Sequence, residues 1–461
     1  MDGWPKHKAE ENKAGIMEQY IELAHYLKKK LQEAGAQDLV IEAGKSRASH
    51  LKFVNNKIAK TGTEGLVDIG VFAVKDKKIV STALKEFTKP GVDRLAKNVG
   101  KFFGHMQANE NYRAIAKGPF KYKEIPDTYD KKVMELEDEQ VDLVEKGINA
   151  ALAAGAKRTA GVFEIEEDEI FLLTSNDVEV RDKGTTLYFS IRAFADKNAS
   201  GHMTASSRIL KNFDVERAGE FAGSIAKKAL NPKPGVFGKY DIIFEPLSFA
   251  AILDRIIDAT SIFDVEAGIS CFANKLNKTI ASPIVKLIDD GSLLGGYDSS
   301  KFDAEGVPTQ KNIVIDKGIL KTYLHNTSTA LRYNTKTTAN AGLIAPSPHN
   351  AILEPGKITK DKLFESVKNG IYITNVWYTR FQNYNTGDFS TIPRDGIFLI
   401  ENGKIKHPIS NIRVSDNLIN MLKNISSIAN DPKQIYSWEV SVPVITPTVL
   451  VKNVNITKPK K

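Results

Sequence analysis

Three polar segments in the second half of the chain carry the side chains best suited to holding a substrate. Residues 298–310, 337–350 and 383–390 are rich in carboxylates, amides and glycines. Functional residues collect in loops that a rigid scaffold positions, although Asp and Asn also make turns by bonding their own backbone. Because their compositions are alike, we expect the three segments to serve one groove. The candidate substrate-binding residues are Asp303, Glu305, Thr309, Gln310, Asn340, Asn385, Gly387, Asp388 and Ser390.

The first of these segments belongs to an acidic loop, residues 295–310, that precedes a predicted β-hairpin. The hairpin's two β-prone runs flank the turn Asp316-Lys317-Gly318, and a short Gly-containing turn between such runs is typical of a hairpin. A structureless loop of this length is usually a binding loop or a disordered segment. Since the hairpin holds one end of the loop, we favour binding.

A local zinc-binding helix is absent from the sequence. Zinc hydrolase helices place two imidazoles on one face so that both reach one ion, and none of the 8 histidines lies four or five residues from another. A site assembled from the distant His325 and His349 is the remaining alternative. Phosphate-binding loops, the dinucleotide fingerprint and the Gly-x-Ser-x-Gly elbow are missing as well.

Composition indicates a globular protein of more than one domain. The chain has 461 residues, of which 42% are hydrophobic, and no apolar run reaches the roughly 18 residues of a membrane span. Its N-terminus lacks the apolar core of a signal peptide. The single Cys271 excludes an internal disulfide, so we expect a reducing, cytoplasmic location. Net charge is +8, but the lysines are spread along the chain, which disfavours nucleic-acid binding.

Helical and strand-like patterns alternate and predict an α+β protein. Successive short strands predict hairpins, with turns at 166–168 and 182–184, and therefore an antiparallel sheet in the first half. A helix capped by Ser248 is predicted after Pro246. The other helices predicted from apolar spacing cover residues 16–31, 92–103, 133–152 and 215–230.

A proline-rich segment predicts the domain boundary. Two prolines and a glycine fall within residues 231–235, and such clusters mark linkers. We expect an N-terminal mixed α/β domain with an antiparallel sheet over residues 1–230, in two sub-segments of about 36–110 and 128–230. A C-terminal β-rich domain is expected over residues 236–461.

Several ordered motifs resemble the TldD/PmbA family of metallopeptidases, also called modulators of DNA gyrase. The resemblance is dense from about residue 240 to the end and looser, but collinear, over about residues 36–230. The motifs are 302–310 (FDAEGVPTQ), 318–324 (GILKTYL), 338–342 (TANAG), 385–390 (NTGDFS), 400–405 (IENGKI) and 421–425 (MLKNI). Each alone is common, whereas the ordered set is specific. The resemblance implies a C-terminal β-rich domain of the TldD/PmbA type.

The family has two branches, and the metal motif separates them. TldD-type members carry His-Glu-x-x-x-His on a helix and a C-terminal cysteine that bind the metal. Aligning the apolar pair before that motif places Asp254 and Arg255 at its first His and its Glu, and Ala259 at its second His. Arg255 would repel a cation and cannot act as a general base. The sequence therefore resembles the PmbA branch, also named TldE, and neither a metal ligand nor a catalytic residue is expected in this chain.

The resemblance implies a metal-free subunit of a two-component metallopeptidase acting on small or unfolded peptides. Its partner would be a TldD-type subunit that carries the zinc, and self-association stays open. One rival hypothesis is a self-sufficient hydrolase with a different site, around Asp303, Glu305 or His349. The other is a nucleic-acid or gyrase-associated protein, suggested by the pI of about 9.0 and the family's older name.

Overall fold

One antiparallel sheet of six long strands dominates the first half. The computed structural model describes residues 8–458, with side chains from Met17 onward, so the predicted domain ends at residues 1 and 461 lie outside the described residues. The strands lie in the order β3-β2-β1-β4-β5-β6. They are β1 (Asp38–Val54), β2 (Lys57–Lys75), β3 (Lys78–Ala83), β4 (Arg158–Thr174), β5 (Glu179–Asp196) and β6 (Ala199–Ser207). The α+β class predicted from the sequence is confirmed.

Two-residue turns set the register of the first three strands of this sheet. Asn55 and Asn56 have φ of 53° and 65°, and Asp76 and Lys77 have φ of 49° and 62°. Positive φ at both central residues is the geometry of a type I′ turn, and Asn and Asp tolerate it better than most residues. These turns connect β1 to β2 and β2 to β3, and both pairs of strands are antiparallel.

The two turns predicted at 166–168 and 182–184 are wrong. Both segments lie within continuous strands, because β4 pairs along almost its whole length with β1 and with β5. Charged residues form turns readily, but here they continue the ladder, and Lys183 Nζ lies 2.9 Å from Glu167 Oε1. Pairing between distant strands overrides the local turn signal.

Helices cover one face of the sheet. The side chains of Leu39 and Phe171 face α1 and α2 at one end, and those of Phe163 and Phe189 face α3 and α4 at the other. On the opposite face Val40 packs with residues of the 112–122 segment and with Phe302. This split follows from the alternation of side chains along a strand. The helices are α1 (Lys8–Glu33), α2 (Lys89–His105), α3 (Glu139–Ala153) and α4 (Val215–Lys228).

Two further sheets build the second half. An eight-stranded sheet consists of seven strands in the order β13-β8-β20-β16-β14-β15-β7 and of β17, which pairs with β20. A six-stranded sheet has the order β11-β10-β9-β12-β19-β18. The strands are β7 (Lys233–Pro234), β8 (Gly238–Phe244), β9 (Leu287–Asp290), β10 (Lys311–Asp316), β11 (Ile319–Leu320), β12 (Ala351–Leu353), β13 (Asn369–Asn383), β14 (Asp388–Glu401), β15 (Lys404–Ser410), β16 (Arg413–Asn417), β17 (Ile425–Ile428), β18 (Lys433–Ser437), β19 (Val440–Thr446) and β20 (Val449–Thr457).

Helix α5 lies between these sheets and is almost wholly buried. It follows β8 directly, begins with Pro246 at its first turn, and Glu245 rather than the predicted Ser248 is its N-cap residue. The Ser248 hydroxyl instead donates 2.8 Å hydrogen bonds to the carbonyls of Glu245 and Ile373, which ties the helix to β13. The helices here are α5 (Pro246–Asp258), α6 (Ile262–Glu266), α7 (Thr327–Arg332), α8 (Lys360–Glu365) and α9 (Leu418–Lys423).

The apolar core runs without interruption from the first sheet into the second half. Phe189 of β5 and Phe244 of β8 belong to one cluster of buried side chains. The predicted linker also contributes to the fold, because Lys233 and Pro234 pair in parallel with the end of β15. The predicted domain boundary stays a prediction. None of the described helices is both long and apolar enough to span a bilayer.

Candidate functional site

Helix α5 presents one acidic and one basic side chain where the family motif would lie. Asp254 is 0% exposed, and its Oδ1 accepts hydrogen bonds from the Ser441 hydroxyl at 3.1 Å and the Val442 amide at 2.8 Å. Its Oδ2 lies 2.5 Å from Arg255 Nη2. Burial raises the pKa of Asp254, and the guanidinium opposes that rise. The carboxylate is therefore held between β19 and an internal cation.

This arrangement does not fit a zinc ion. One Asp254 oxygen already accepts two hydrogen bonds, the other faces a fixed positive charge, and the buried Ala259 has no donor atom. Among the residues whose side chains are described, no three His, Cys, Asp or Glu come close enough together to hold a metal. Cys271 is buried, and burial raises its pKa to about 11, which disfavours a thiolate ligand.

Asp303 organises the loop that precedes β10. The side chain is 3% exposed. Its carboxylate accepts hydrogen bonds from the backbone amides of Glu305 at 2.9 Å and of Val307 and Ala341 at 3.0 Å. Residues 298–310 and 337–350 are thus joined through one buried carboxylate, and the shared groove of the three segments stays a prediction. Burial raises the pKa of Asp303 to about 6, against the opposing effect of these amides.

Glu305 is buried beside Asp303. It is 4% exposed, and its Oε2 accepts a 3.2 Å hydrogen bond from the Thr327 amide at the start of α7. Burial, with a smaller contribution from Asp303, raises its pKa to about 8. Both carboxyl groups face the interior, so their contacts stabilise the loop.

A second buried network surrounds Asn340. Its amide donates to Asp289 Oδ2 at 2.7 Å and accepts from Asn312 Nδ2 at 3.2 Å. The amide N–H of His349 donates to the other Asp289 oxygen at 2.7 Å. Burial lowers the pKa of His349, but the carboxylates of Asp289 and Asp298 outweigh burial, and the pKa is raised. His349 therefore belongs to a hydrogen-bonded cluster of charged groups. Among the residues whose side chains are described, neither His325 nor His349 belongs to a group of three or more His, Cys, Asp or Glu that could hold a metal ion.

The candidate residues at the end of this loop are more accessible. Thr309 is partly exposed, and its hydroxyl donates to the Ser300 carbonyl. Gln310 is exposed, and its amide donates to Asn312 Oδ1 at 3.0 Å. These two side chains, unlike Asp303, can meet a ligand from solvent.

The third polar segment, residues 383–390, lies at the turn between β13 and β14. Asp388 accepts hydrogen bonds from the Thr386 hydroxyl and the Asn417 amide, Ser390 accepts from Arg413, and the exposed Asn385 bonds within its own turn. Gly387 has φ of 80° and packs so closely on Cys271 that a Cβ would lie 2.9 Å from the cysteine Cβ. Among the described residues, no hydrogen bond links this segment to the other two.

An open cavity lies on the face of the first sheet that the helices leave free. Its volume is about 430 Å³. Tyr297 stacks on Tyr436 with ring centroids 4.6 Å apart, and Tyr188 meets Tyr436 edge-on at 5.5 Å. Glu164 and Glu166 complete one wall, and burial raises the pKa of Glu166. Aromatic rings beside carboxylates suit a cationic group.

Sequence reasoning missed this cavity. The lining residues come from β1, β2, β4, β5, the loop before β10 and β18, and none forms a local motif. Residues 164 and 166 are two positions apart on one strand, and this spacing could have predicted that their side chains lie on the same face of the sheet. The tyrosines gave no signal, since sequence spacing does not bring Tyr188, Tyr297 and Tyr436 together.

Two family models and several known proteins are similar to this chain. Residues 237–458 match the model of the PmbA/TldA metallopeptidase C-terminal domain, and residues 136–231 match that of the central domain. A metalloprotease of Methanothermobacter thermautotrophicus is 27% identical over 310 residues, which are 64% of this chain and 67% of that one. An uncharacterized protein of Methanocaldococcus jannaschii is 29% identical over 374 residues, 79% of this chain and 85% of that one.

Solved structures show the same fold. TldE from Thermococcus kodakarensis superposes with a TM-score of 0.84 at 22% identity, covering 95% of this chain and 100% of that chain. A Thermotoga maritima protein named for modulation of DNA gyrase gives a TM-score of 0.84 at 23% identity, with coverage of 95% and 100%. The two matched models follow one another in order over most of the chain. The protein therefore belongs to the TldD/PmbA metallopeptidase family and has a peptidase-related role.

Proposed function

We propose that this chain is the metal-free, PmbA/TldE-like subunit of a two-component metallopeptidase. The observation that carries the proposal is the Asp254–Arg255 ion pair on α5, at the positions where the family motif has metal-binding and catalytic groups. A guanidinium 2.5 Å from Asp254 neutralises that carboxylate from within the chain. A cation would have to displace Arg255 and leave its charge unpaired in a largely buried place. Hydrolysis then belongs to a TldD-type partner.

The substrate in this proposal is an extended peptide held in a chamber that both subunits build. Peptides bind sheet scaffolds through backbone hydrogen bonds, and side-chain pockets add selectivity. In this chain the accessible candidates Thr309, Gln310 and Asn385 are suited to contact the peptide. The buried Asp303 and Asn340 would act indirectly, by holding the loop in place. The cavity of tyrosines and glutamates suits a basic side chain of the substrate.

A cytoplasmic location is part of the same proposal. The one cysteine of the chain is buried and free, which agrees with a reducing compartment but does not require it. Nucleic-acid binding is the weaker alternative. Binding that falls steeply as salt rises would support it, and an absence of binding at low salt would exclude it.

Reconstitution tests the proposal. The chain is purified alone and together with a TldD-type subunit, and zinc content and cleavage of unfolded peptides are measured for each. The chain alone should hold no stoichiometric zinc and cleave nothing, whereas the mixture should cleave. Replacing the first His of the partner's motif should abolish cleavage, while Arg255→Lys in this chain should leave cleavage unchanged. Stoichiometric zinc and cleavage by the chain alone would overturn the assignment.

A further inference from the structure

A second cavity, here called the basic cavity, lies where β5 and β6 of the first sheet meet β14 and β15 of the second half. Its volume is about 670 Å³, which is within the range of small-molecule sites. Its cationic lining residues are Arg192 on β5, Lys197 at the turn into β6 and Arg394 on β14, and its one acidic lining residue is Asp395. Three cationic side chains against one carboxylate leave a net charge of +2 on the described lining.

The carboxylate of Asp395 is already engaged with groups of the chain. Its side chain is 0% exposed. Its Oδ1 accepts hydrogen bonds from Arg192 Nε and from the Ser200 hydroxyl, each at 2.6 Å, and its Oδ2 accepts one from Asn375 Nδ2 at 3.0 Å. Because this carboxylate is buried and holds three donors, it orients Arg192 and leaves the charge of Arg394 unbalanced.

Two aromatic rings hold the guanidinium of Arg192 in place. Its Cζ lies 5.0 Å from the ring centroid of Phe194 and 4.6 Å from that of Trp377. The side chain is still 28% exposed, so the guanidinium is accessible from the basic cavity. An arginine that is fixed in advance loses less side-chain entropy when it binds an anion.

A second guanidinium shares the indole ring of Trp377. The Cζ of Arg394 lies 5.1 Å from that ring centroid, so two like charges approach one side chain. Within the part of the chain that the structure describes, neither Arg394 nor the exposed Lys197 forms an ion pair. An anion bound by both guanidinium groups would offset their repulsion, and arginine matches phosphate and carboxylate oxygens with two parallel N–H groups.

A β-bulge places these residues at the basic cavity. Asp395 and Gly396 of β14 both stand opposite Thr374 of β13, so β14 has one residue more than its partner at this point. Asp395 has a φ of 56°, a left-handed backbone that residues other than glycine rarely adopt. Bulges redirect side chains and are over-represented beside functional sites, and strained residues persist where the surrounding structure enforces them.

The rest of the basic cavity is largely apolar. Isoleucine and proline side chains line this part, namely Ile392, Pro393, Pro408, Ile409 and Ile412. A ligand that fits both parts has an anionic group and an apolar body. A phosphate monoester carries a charge of about −1.5 to −2 at pH 7, which matches the net charge of the lining, whereas a carboxylate supplies a single charge.

We propose that the basic cavity binds a small organic phosphate. Arg192 and Arg394 hold the phosphate group, Lys197 adds positive charge at the rim, and the organic part lies against the isoleucines and prolines. This site belongs to the chain alone, so it is independent of the metal-free assignment.

Isothermal titration calorimetry on the full-length chain tests the site with phenyl phosphate as the probe. The wild type should bind one molecule per chain, and Arg394→Gln should weaken binding roughly tenfold or more, because it removes a charge-assisted contact. Arg192 stays unchanged, since its loss would leave the buried Asp395 without its cation. Arg217→Gln is the matched control. It removes an exposed arginine at the start of α4, outside the cavity lining, and should keep the wild-type dissociation constant.

Two further probes separate the charge from the apolar body. Benzoate keeps the ring with one negative charge, and inorganic phosphate keeps the charge without the ring, so both should bind roughly tenfold or more weakly than phenyl phosphate. Circular dichroism confirms that both variants are folded. The proposal is overturned if millimolar phenyl phosphate does not bind the wild type, if Arg394→Gln binds as the wild type does, or if both variants lose affinity equally. Benzoate or inorganic phosphate binding as tightly as phenyl phosphate would overturn the assignment to an organic phosphate.

Discussion

The buried carboxyl group of Glu305 should make the stability of the protein depend on pH. Burial and the neighbouring Asp303 raise its pKa from 4.5 to about 8. The folded state keeps this proton up to about pH 8, while the unfolded state releases it near pH 4.5. The stability that protonated Glu305 contributes is therefore fully present below pH 4.5 and is lost as the pH rises through 8.

Glu305→Gln removes this dependence and keeps the shape of the side chain. A change of one pKa unit corresponds to about 1.36 kcal/mol, so the shift from 4.5 to about 8 sets an upper limit of roughly 5 kcal/mol. The side chain is 4% exposed, so solvent screens little of this effect. The free energy of unfolding of Glu305→Gln, minus that of the wild type, should rise by several kcal/mol from pH 4.5 to 8.5.

Urea denaturation at five or six pH values measures this difference. The change Glu139→Gln on α3 is the control, because Glu139 is exposed and reports the loss of a carboxylate at the surface. A difference for Glu305→Gln that stays constant with pH would refute the reasoning. The same variant also tests the self-sufficient hydrolase, since this hypothesis requires that the wild-type chain alone cleaves peptides after removal of all metal and that a folded Glu305→Gln does not.

Two further changes test the packing around the site. Arg255→Ala removes the positive partner of the buried Asp254 carboxylate, and should lower the free energy of unfolding by about 3 kcal/mol in urea denaturation. Arg255→Lys is the milder control. Equal stability of Arg255→Ala and the wild type would contradict the ion pair. Gly219→Ala would place a Cβ 2.1 Å from the Gly147 carbonyl between α3 and α4, and should lower the free energy of unfolding by about 2 kcal/mol. The control Gly104→Ala adds a Cβ that meets no neighbour, and should be neutral or slightly stabilising. A Gly219→Ala variant as stable as the wild type would show that the two helices separate easily.

The sequence predicted the local elements well where one physical signal dominated. The hairpin of β10 and β11 was predicted from its Gly-containing turn, and Gly318 has the positive φ of 76° that such a turn needs. Helix α4 was predicted from its apolar spacing, and its buried side chains include Val215, Ala218 and Ile225. Signals of this kind depend on neighbours within a few residues, so the sequence alone contains them.

Long-range pairing decided the length of the strands. The segments around Glu167 and Lys183 look like turns locally, yet both continue strands because partners on each side bond their backbones. Ser248 has the chemistry of a cap, but its hydroxyl bonds a carbonyl of β13, a strand more than a hundred residues away. No pattern within either segment carries that information.

The sequence by itself led to the prediction that Asp254, Arg255 and Ala259 stand where the family has its metal-binding side chains, because side-chain chemistry is fixed by residue type. Only the tertiary structure decided which polar residues face solvent. In the sequence, Asp303, Glu305 and Gln310 are all polar residues of one loop, yet Asp303 and Glu305 are buried in the structure. Burial depends on the elements that pack over a residue, and those elements come from distant parts of the chain.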